Sequence, residues 1–222
     1  MGPDGAWVSV EGVRVAATGT GDAWRALGTR GDTVIEGAES AGIGAVLTPG
    51  FIDLQVNGGG GVLFNNNTSV EAIATIGKAH RQFGTTSFLP TLISDDAAVM
   101  QRAIAATRDA IATGVPGVLG IHLEGPYIAP ARKGTHDAGK FRVPDASEME
   151  MVTALDNGIT MITLAPERVP PAALARLVAA GRIVFAGHTD ADCATASAAF
   201  AAGVRGVTHL FNAMSPFAHR AP

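Results

Sequence analysis

The sequence has 222 residues, 47% of them hydrophobic and 16% charged, with a net charge of −4 at pH 7. That is enough chain for a sizeable core in one or two domains, and the slightly acidic balance argues against nucleic acid as a partner. A lone cysteine, Cys193, excludes an intrachain disulfide and suits a reducing compartment.

In chain order, the opening MGPDGAWVSVEG has neither the basic start nor the apolar run of a signal peptide. No stretch of ~18 apolar residues follows anywhere, so the prediction is a cytoplasmic protein without a membrane span. Residues 1–46 hold short β-like runs (Ala6–Val10, Val13–Ala16, Thr33–Glu36) broken by Gly and Asp, which read as part of a small β-sandwich layer. From Leu47 the pattern changes to alternating strand and helix. Thr68 with Glu71 has the spacing of a capping box for a helix over Val70–Phe83, closed by Gly84. Asp95 and Asp96 favour the next helix start through its dipole, and Gly114 ends it. Asp145 with Glu148 repeats the capping signature before Met149–Leu155, and Asp190 marks a later helix start.

After each helix comes a Gly and then an apolar run: FGTTSFLPTLI, TGVPGVLGIHLE, NGITMITLAP, AGRIVFAGH and AGVRGVTHLF. Near-continuous apolar strands are those of a parallel sheet covered on both faces. With Leu47–Val56 first, this makes six strands. The segment Gly125–Pro144 is an insertion rich in Gly, Pro, His and charge, and a long loop on a compact repeat is a functional candidate.

Six such units are most simply part of a (β/α)8 barrel occupying residues 47–222; a doubly wound sheet is the alternative, but no GxGxxG follows the first strand. A barrel needs ~250 residues, so either two strands lie outside this sequence or the fold differs. The expectation is a piece of a longer polypeptide.

In barrels the chemistry sits at the C-terminal ends of the strands. Glu124, His188 and His209 all stand there, in VLGIHLEGP, RIVFAGHTD and GVTHLFNAM, with Gln55 and Asn57 at the end of the first strand. One carboxylate and two imidazoles from three neighbouring strands suit a zinc site with an open position, and hence metal-assisted hydrolysis. His122 lies on the same side of its strand as Glu124 and reads either as a core histidine or one supporting the ligands from behind, or as having a metal role itself. His80, inside a helix, reads as a surface residue.

LTPGFIDLQVNGGGG resembles the first-strand signature of the amidohydrolase superfamily. Within it, GIHLEGPYI, KGTHDAG, GHTDA and THLFNAMSPF resemble the N-acetylglucosamine-6-phosphate deacetylase family over about Leu47–Arg220. The resemblance implies a (β/α)8 metal-dependent hydrolase barrel, and an amino-sugar phosphate whose acetamide is cleaved, in amino-sugar catabolism and cell-wall recycling. It also implies one divalent ion, expected to be Zn2+, and a homodimer. It assigns Glu124, His188 and His209 to the metal and His136 to polarisation of the acetamide carbonyl. Thr135 becomes a substrate contact, Asn212 and Ala213 hold the sugar phosphate, and Arg220 neutralises it. Many superfamily members carry His-x-His on the first strand; Gln55 and Asn57 stand there instead, and neutral amides are poor zinc ligands. That departure points to one metal, with Asn57 lining the site and Gln55 either orienting the metal-bound water or lining the site too. It also counts against the other enzymatic reading, an amidohydrolase acting on a cyclic amide or amidine. The general base of the superfamily, an Asp at the end of the last strand, is expected beyond Pro222, so this chain alone is expected to be catalytically incomplete.

Overall fold

A computed structural model describes residues 6–21 and 48–216, which belong to two units divided between Thr48 and Pro49. In the first unit, β1 (Ala6–Glu11) and β2 (Arg14–Thr20) form an antiparallel hairpin with Ala6 opposite Thr20. Glycine is required at position 19: a Cβ there would fall 2.4 Å from the Trp7 indole. Both strands extend beyond the runs predicted for them. The third run, Thr33–Glu36, lies outside the described residues.

The second unit starts with β3 (Phe51–Val56) and a small hairpin, β4 (Gly58–Gly59) and β5 (Val62–Leu63). Helix α1 (Val70–Arg81) follows, burying Ala72, Ile73, Ile76 and Gly77, one stripe at helical spacing. Position 77 has no room for a side chain, since a Cβ would lie 2.7 Å from the Phe88 ring. The cap is Ser69 rather than Thr68: its backbone is extended and its hydroxyl accepts from Ala72 N–H at 3.2 Å. Two adjacent hydroxyls compete for one cap, and the spacing to Glu71 does not decide between them.

Strand β6 (Thr85–Ile93) leads to α2 (Ala97–Ala112), whose N-cap Asp96 makes no capping bond and instead meets Lys140. Then come β7 (Gly120–Glu124), buried throughout, and the long loop 125–145. Helix α3 (Ala146–Val152) is capped as expected, Asp145 accepting from Glu148 N–H at 2.9 Å. The order closes with β8 (Ile159–Leu164), α4 (Pro171–Ala179), β9 (Ile183–Ala186), α5 (Cys193–Ala201) and β10 (Gly206–Val207). Helix α5 is capped by Asp192, whose side chain accepts from Thr195 N–H; Asp190, predicted to start it, lies two residues earlier and has another partner.

Six strands form one parallel sheet in the order β3-β6-β7-β8-β9-β10. Each new strand joins the side on which the last one ended, so there is no reversal and a doubly wound sheet is excluded. The sheet is a run of consecutive strands of a (β/α)8-type barrel. Ile73, Ile76, Phe88, Met100, Ile121, Leu123, Ile162, Leu177 and Val184 are buried between sheet and helices. Among the described residues, no helix is long and apolar enough to cross a membrane.

Candidate metal centre

Strand register sets the heights of the polar residues. Glu124 lies beside Ile93 and Thr163, and Ala186 beside Val207. His188 and His209 each follow that last pair by two residues, so they leave neighbouring strands level with one another. Both carry positive φ, 49° and 36°. A left-handed non-glycine residue is strained, and such strain collects at functional sites.

The three side chains converge. Glu124 Oε1 is 3.1 Å from His188 Nε2 and 3.2 Å from His209 Nε2, and the two Nε2 atoms are 3.1 Å apart. Glu124 and His188 are 3% and 4% exposed. The far nitrogens fix the tautomers. His188 Nδ1 faces the Arg132 carbonyl at 2.8 Å and His209 Nδ1 faces the Asn212 carbonyl at 2.9 Å. A carbonyl only accepts, so both Nδ1 atoms carry hydrogens and both neutral rings turn an Nε2 lone pair toward Glu124 Oε1. Three lone pairs meeting in a buried space repel one another unless a cation lies between them. Ligand imidazoles characteristically donate their other N–H to a carbonyl. A tetrahedral zinc with bonds of about 2.0–2.1 Å holds its donors roughly 3.3–3.4 Å apart, close to the spacing here.

A proton on one imidazole is the alternative to a cation. Burial pushes the Glu124 carboxyl up, but the His188 hydrogen bond and the neighbouring imidazoles outweigh it and bring it to about 2. Burial pushes His188 down, yet the hydrogen bond to Glu124 and the Arg132 carbonyl raise it above the ordinary imidazole value. Without a metal, a proton on His188 is what relieves the repulsion.

Gln55 Nε2 donates to the other carboxylate oxygen, Glu124 Oε2, at 2.9 Å. It restrains the Glu124 carboxylate and leaves Oε1 to face the imidazoles. His136 approaches from the long loop, 2% exposed, with Nε2 3.8 Å from Glu124 Oε2. Its Nδ1 receives the Ser94 hydroxyl at 2.7 Å and lies 3.3 Å from Ser94 N–H. With Nδ1 accepting, the hydrogen sits on Nε2. Burial, then the His188 charge, bring His136 down to about 4, so the ring is a neutral donor at pH 7.

These groups open into a cavity of about 510 Å³. Asn57, Leu63, Asn65, Ile93, Gly134, Thr135, Asn212 and Ala213 line the rest of it. All the predicted site residues among the described ones share this cavity; Arg220 lies outside the described residues. His122 is no ligand. Its Nδ1 donates to the Leu54 carbonyl at 2.9 Å, its Nε2 accepts from Thr163 Oγ1 at 2.7 Å, and Thr163 Oγ1 is 2.6 Å from Thr208 Oγ1. Burial, opposed by Glu124, brings it to about 4. His80 is half-buried, with Nε2 2.8 Å from the Gly58 carbonyl, and ties α1 to the β4–β5 hairpin.

Two contributors escaped the sequence reading. Ser94 sets the His136 tautomer, and Asn65 pairs both ways with the Ile93 backbone, at 3.1 Å each way. Ser94 directly follows β6, which was the available signal; Asn65, 28 residues before Ile93, carried none.

Residues 46–220 match the Amidohydrolase family. An N-acetylgalactosamine-6-phosphate deacetylase from Shewanella sp. is 47% identical over 176 residues, covering 79% of this chain and 45% of the relative. An N-acetylglucosamine-6-phosphate deacetylase from Haemophilus influenzae is 39% identical over 170 residues, 77% of this chain and 45% of the relative. Among solved structures, the N-acetyl-D-glucosamine-6-phosphate deacetylase of Mycobacterium smegmatis superposes with a TM-score of 0.80 at 31% identity, covering 98% of this chain and 54% of that one. The chain spans about half the length of the curated relatives it matches.

Proposed function

The chain belongs to the amidohydrolase family, and from that premise we propose that it carries the metal half of a deacetylase site. The reaction is hydrolysis of the acetamide of N-acetylglucosamine 6-phosphate to glucosamine 6-phosphate and acetate. The observation that carries the reading is the meeting of Glu124 Oε1 with two Nε2 lone pairs at the wall of a 510 Å³ cavity.

Glu124, His188 and His209 would hold one divalent ion, and Zn2+ suits two imidazoles and a carboxylate. When bound, that ion supplies Lewis acidity toward an acyl oxygen and toward water. The residues of the chain do the rest. His136 presents Nε2–H to the oxygen on which charge develops, and a single such donor is typically worth ~10²-fold or more in rate. Ser94 keeps that hydrogen on Nε2. Gln55 restrains Glu124. Asn212 and the Ala213 backbone receive the sugar phosphate, with Arg220 as its counter-charge, and Thr135 makes a backbone contact to the substrate. Among the described residues none is assigned the general base.

A second substrate reading has its own support. The Shewanella relative, 47% identical, is named for the galactosamine epimer, while the Haemophilus one, at 39%, is named for the glucosamine form. The two sugars share the acetamide and the 6-phosphate and differ at C4. Calorimetric binding of both phosphorylated sugars, and of N-acetylglucosamine, to the zinc-loaded chain separates the readings. Tighter binding of either 6-phosphate identifies the epimer; binding of neither overturns the proposal. By the same resemblance we propose a homodimer in the cytoplasm, with residues 1–46 as part of a small β-sandwich and 47–222 as the barrel portion.

A further inference from the structure

Several polar residues near the metal centre neither donate to it nor line its cavity: Arg132, Glu167, Thr189 and Asp190. They form a belt around His188. From one side Glu167, in the 3-10 turn Pro166–Arg168 after β8, accepts from Thr189 Oγ1 at 2.6 Å and from Asp190 N–H at 2.7 Å. From the other, Arg132 places Nε and Nη2 on Asp190 Oδ1 at 2.9 and 2.6 Å. The same residue's carbonyl accepts His188 Nδ1–H at 2.8 Å, and Ala129 N–H donates to the His188 carbonyl at 2.9 Å.

The contacts close a ring. It runs from the His188 imidazole to the Arg132 carbonyl, through the Arg132 side chain to Asp190, and back along two residues of backbone to His188. His188 needs such a device, because its φ of 49° is a strained conformation that persists only when its surroundings over-determine it. The loop so gripped also carries Gly134 against the imidazole, where a Cβ would lie 3.3 Å from His188 Cε1. Two residues further on it delivers His136, whose ring centroid is 4.5 Å from that of His188.

We propose that Arg132 and Asp190 are a positioning pair: their two-donor contact holds the Arg132 carbonyl on His188 Nδ1, and so aims Nε2 at the ion and keeps His136 in register with it. The proposal rests on the metal-centre reading. Global stability is not the pair's contribution. Its side chains are 27% and 46% exposed, and ion pairs so placed add little to folding. Partners behind a ligand imidazole instead act on metal affinity, where losing one typically costs roughly 10–100-fold.

The test is calorimetric Zn2+ titration of the full chain, stripped of metal, as wild type, R132A and D190N, with a urea midpoint for each. The expected result is a roughly tenfold weaker zinc affinity in both variants, with unmoved urea midpoints. R132K, a point charge without the planar fork, should recover only part of the loss. Exchange of the His188 Nδ1–H with solvent, followed by NMR in the metal-free chain, should quicken in R132A and D190N. Zinc affinities within twofold of wild type overturn the proposal. So does a loss of affinity that follows a loss of urea midpoint in parallel, since that marks a merely structural pair. Wild type that takes up no zinc overturns the metal-centre reading and this proposal with it; wild type that binds while the variants bind equally well overturns the proposal alone.

Discussion

Replacing Gln55 by Leu tests whether an amide on the first strand works through the carboxylate beside it. Gln55 Nε2 is the hydrogen-bond donor to Glu124 Oε2, at 2.9 Å, and Leu keeps the bulk at that half-buried position while removing the donor. Two independent estimates give the size of the effect. A hydrogen bond to a charged group is worth about 1.5–3 kcal/mol. Loss of a residue that orients a metal ligand costs roughly 10–100-fold in affinity, which at 1.4 kcal/mol per decade is about 1.4–2.8 kcal/mol. The two ranges overlap, so Gln55→Leu should weaken zinc binding by roughly 10–100-fold. The assay is competition for Zn2+ against a chromophoric chelator, with wild type and Glu124→Gln as the limits and far-UV circular dichroism to check folding. A folded Gln55→Leu chain that binds zinc as tightly as wild type would refute the account of how Glu124 is held.

In long-range 15N NMR of the metal-free chain above pH 7, His136 should show a protonated Nε2 and a bare Nδ1. Ser94→Ala, which removes the hydroxyl donor at 2.7 Å, should populate the other tautomer; an Nδ1–H ring in wild type would be the contrary result. Gly134→Ala places a side chain at φ 56°, with its Cβ 3.3 Å from the His188 ring. It should cost about 1–2 kcal/mol in urea denaturation through the left-handed backbone alone, and weaken zinc binding as well. Asp145→Ala, at the cap of α3, should lower stability by about 1 kcal/mol without touching zinc affinity, a control measured in the same titrations. Zinc at 100 times its Kd should stabilise the chain by about 2.7 kcal/mol, and chelation should remove that increment; equal urea midpoints with and without zinc would count against a native-state site.

Much of this architecture was legible because the physics that writes it is local. Parallel strands covered on both faces must be apolar, so β6, β7 and β8 stood out as runs, whereas β3, exposed along Phe51, Ile52 and Leu54, and the two-residue β10 are covered less than the pattern implied. The change from apolar run to polar loop drew attention to Glu124, His188 and His209, although β10 ends two residues before His209. What escaped the reading depends on distance across the sheet. That Gln55 meets Glu124 follows from the packing of β3 and β7 on either side of β6, which no spacing within either strand reveals. Ser94 reaches His136 across 42 residues, and Arg132 reaches Asp190 across 58. The choices between Thr68 and Ser69, and between Asp190 and Asp192, turned on backbone conformation. Neighbouring residues of nearly equal capping strength, one or two positions apart, leave that choice to the surrounding fold.

The two left-handed histidines set a direction for mutational drift. Asn is among the residues that tolerate positive φ most readily. His188→Asn or His209→Asn should therefore keep the left-handed backbone while removing the imidazole, giving a chain that retains the turn and, on the proposed reading, holds no ion. In a lineage released from selection for the metal, these two positions are where substitutions would be accepted earliest. The apolar strands, whose loss would unfold the sheet, would outlast them, so a descendant could keep the whole barrel face and still be recognised as inert from two codons.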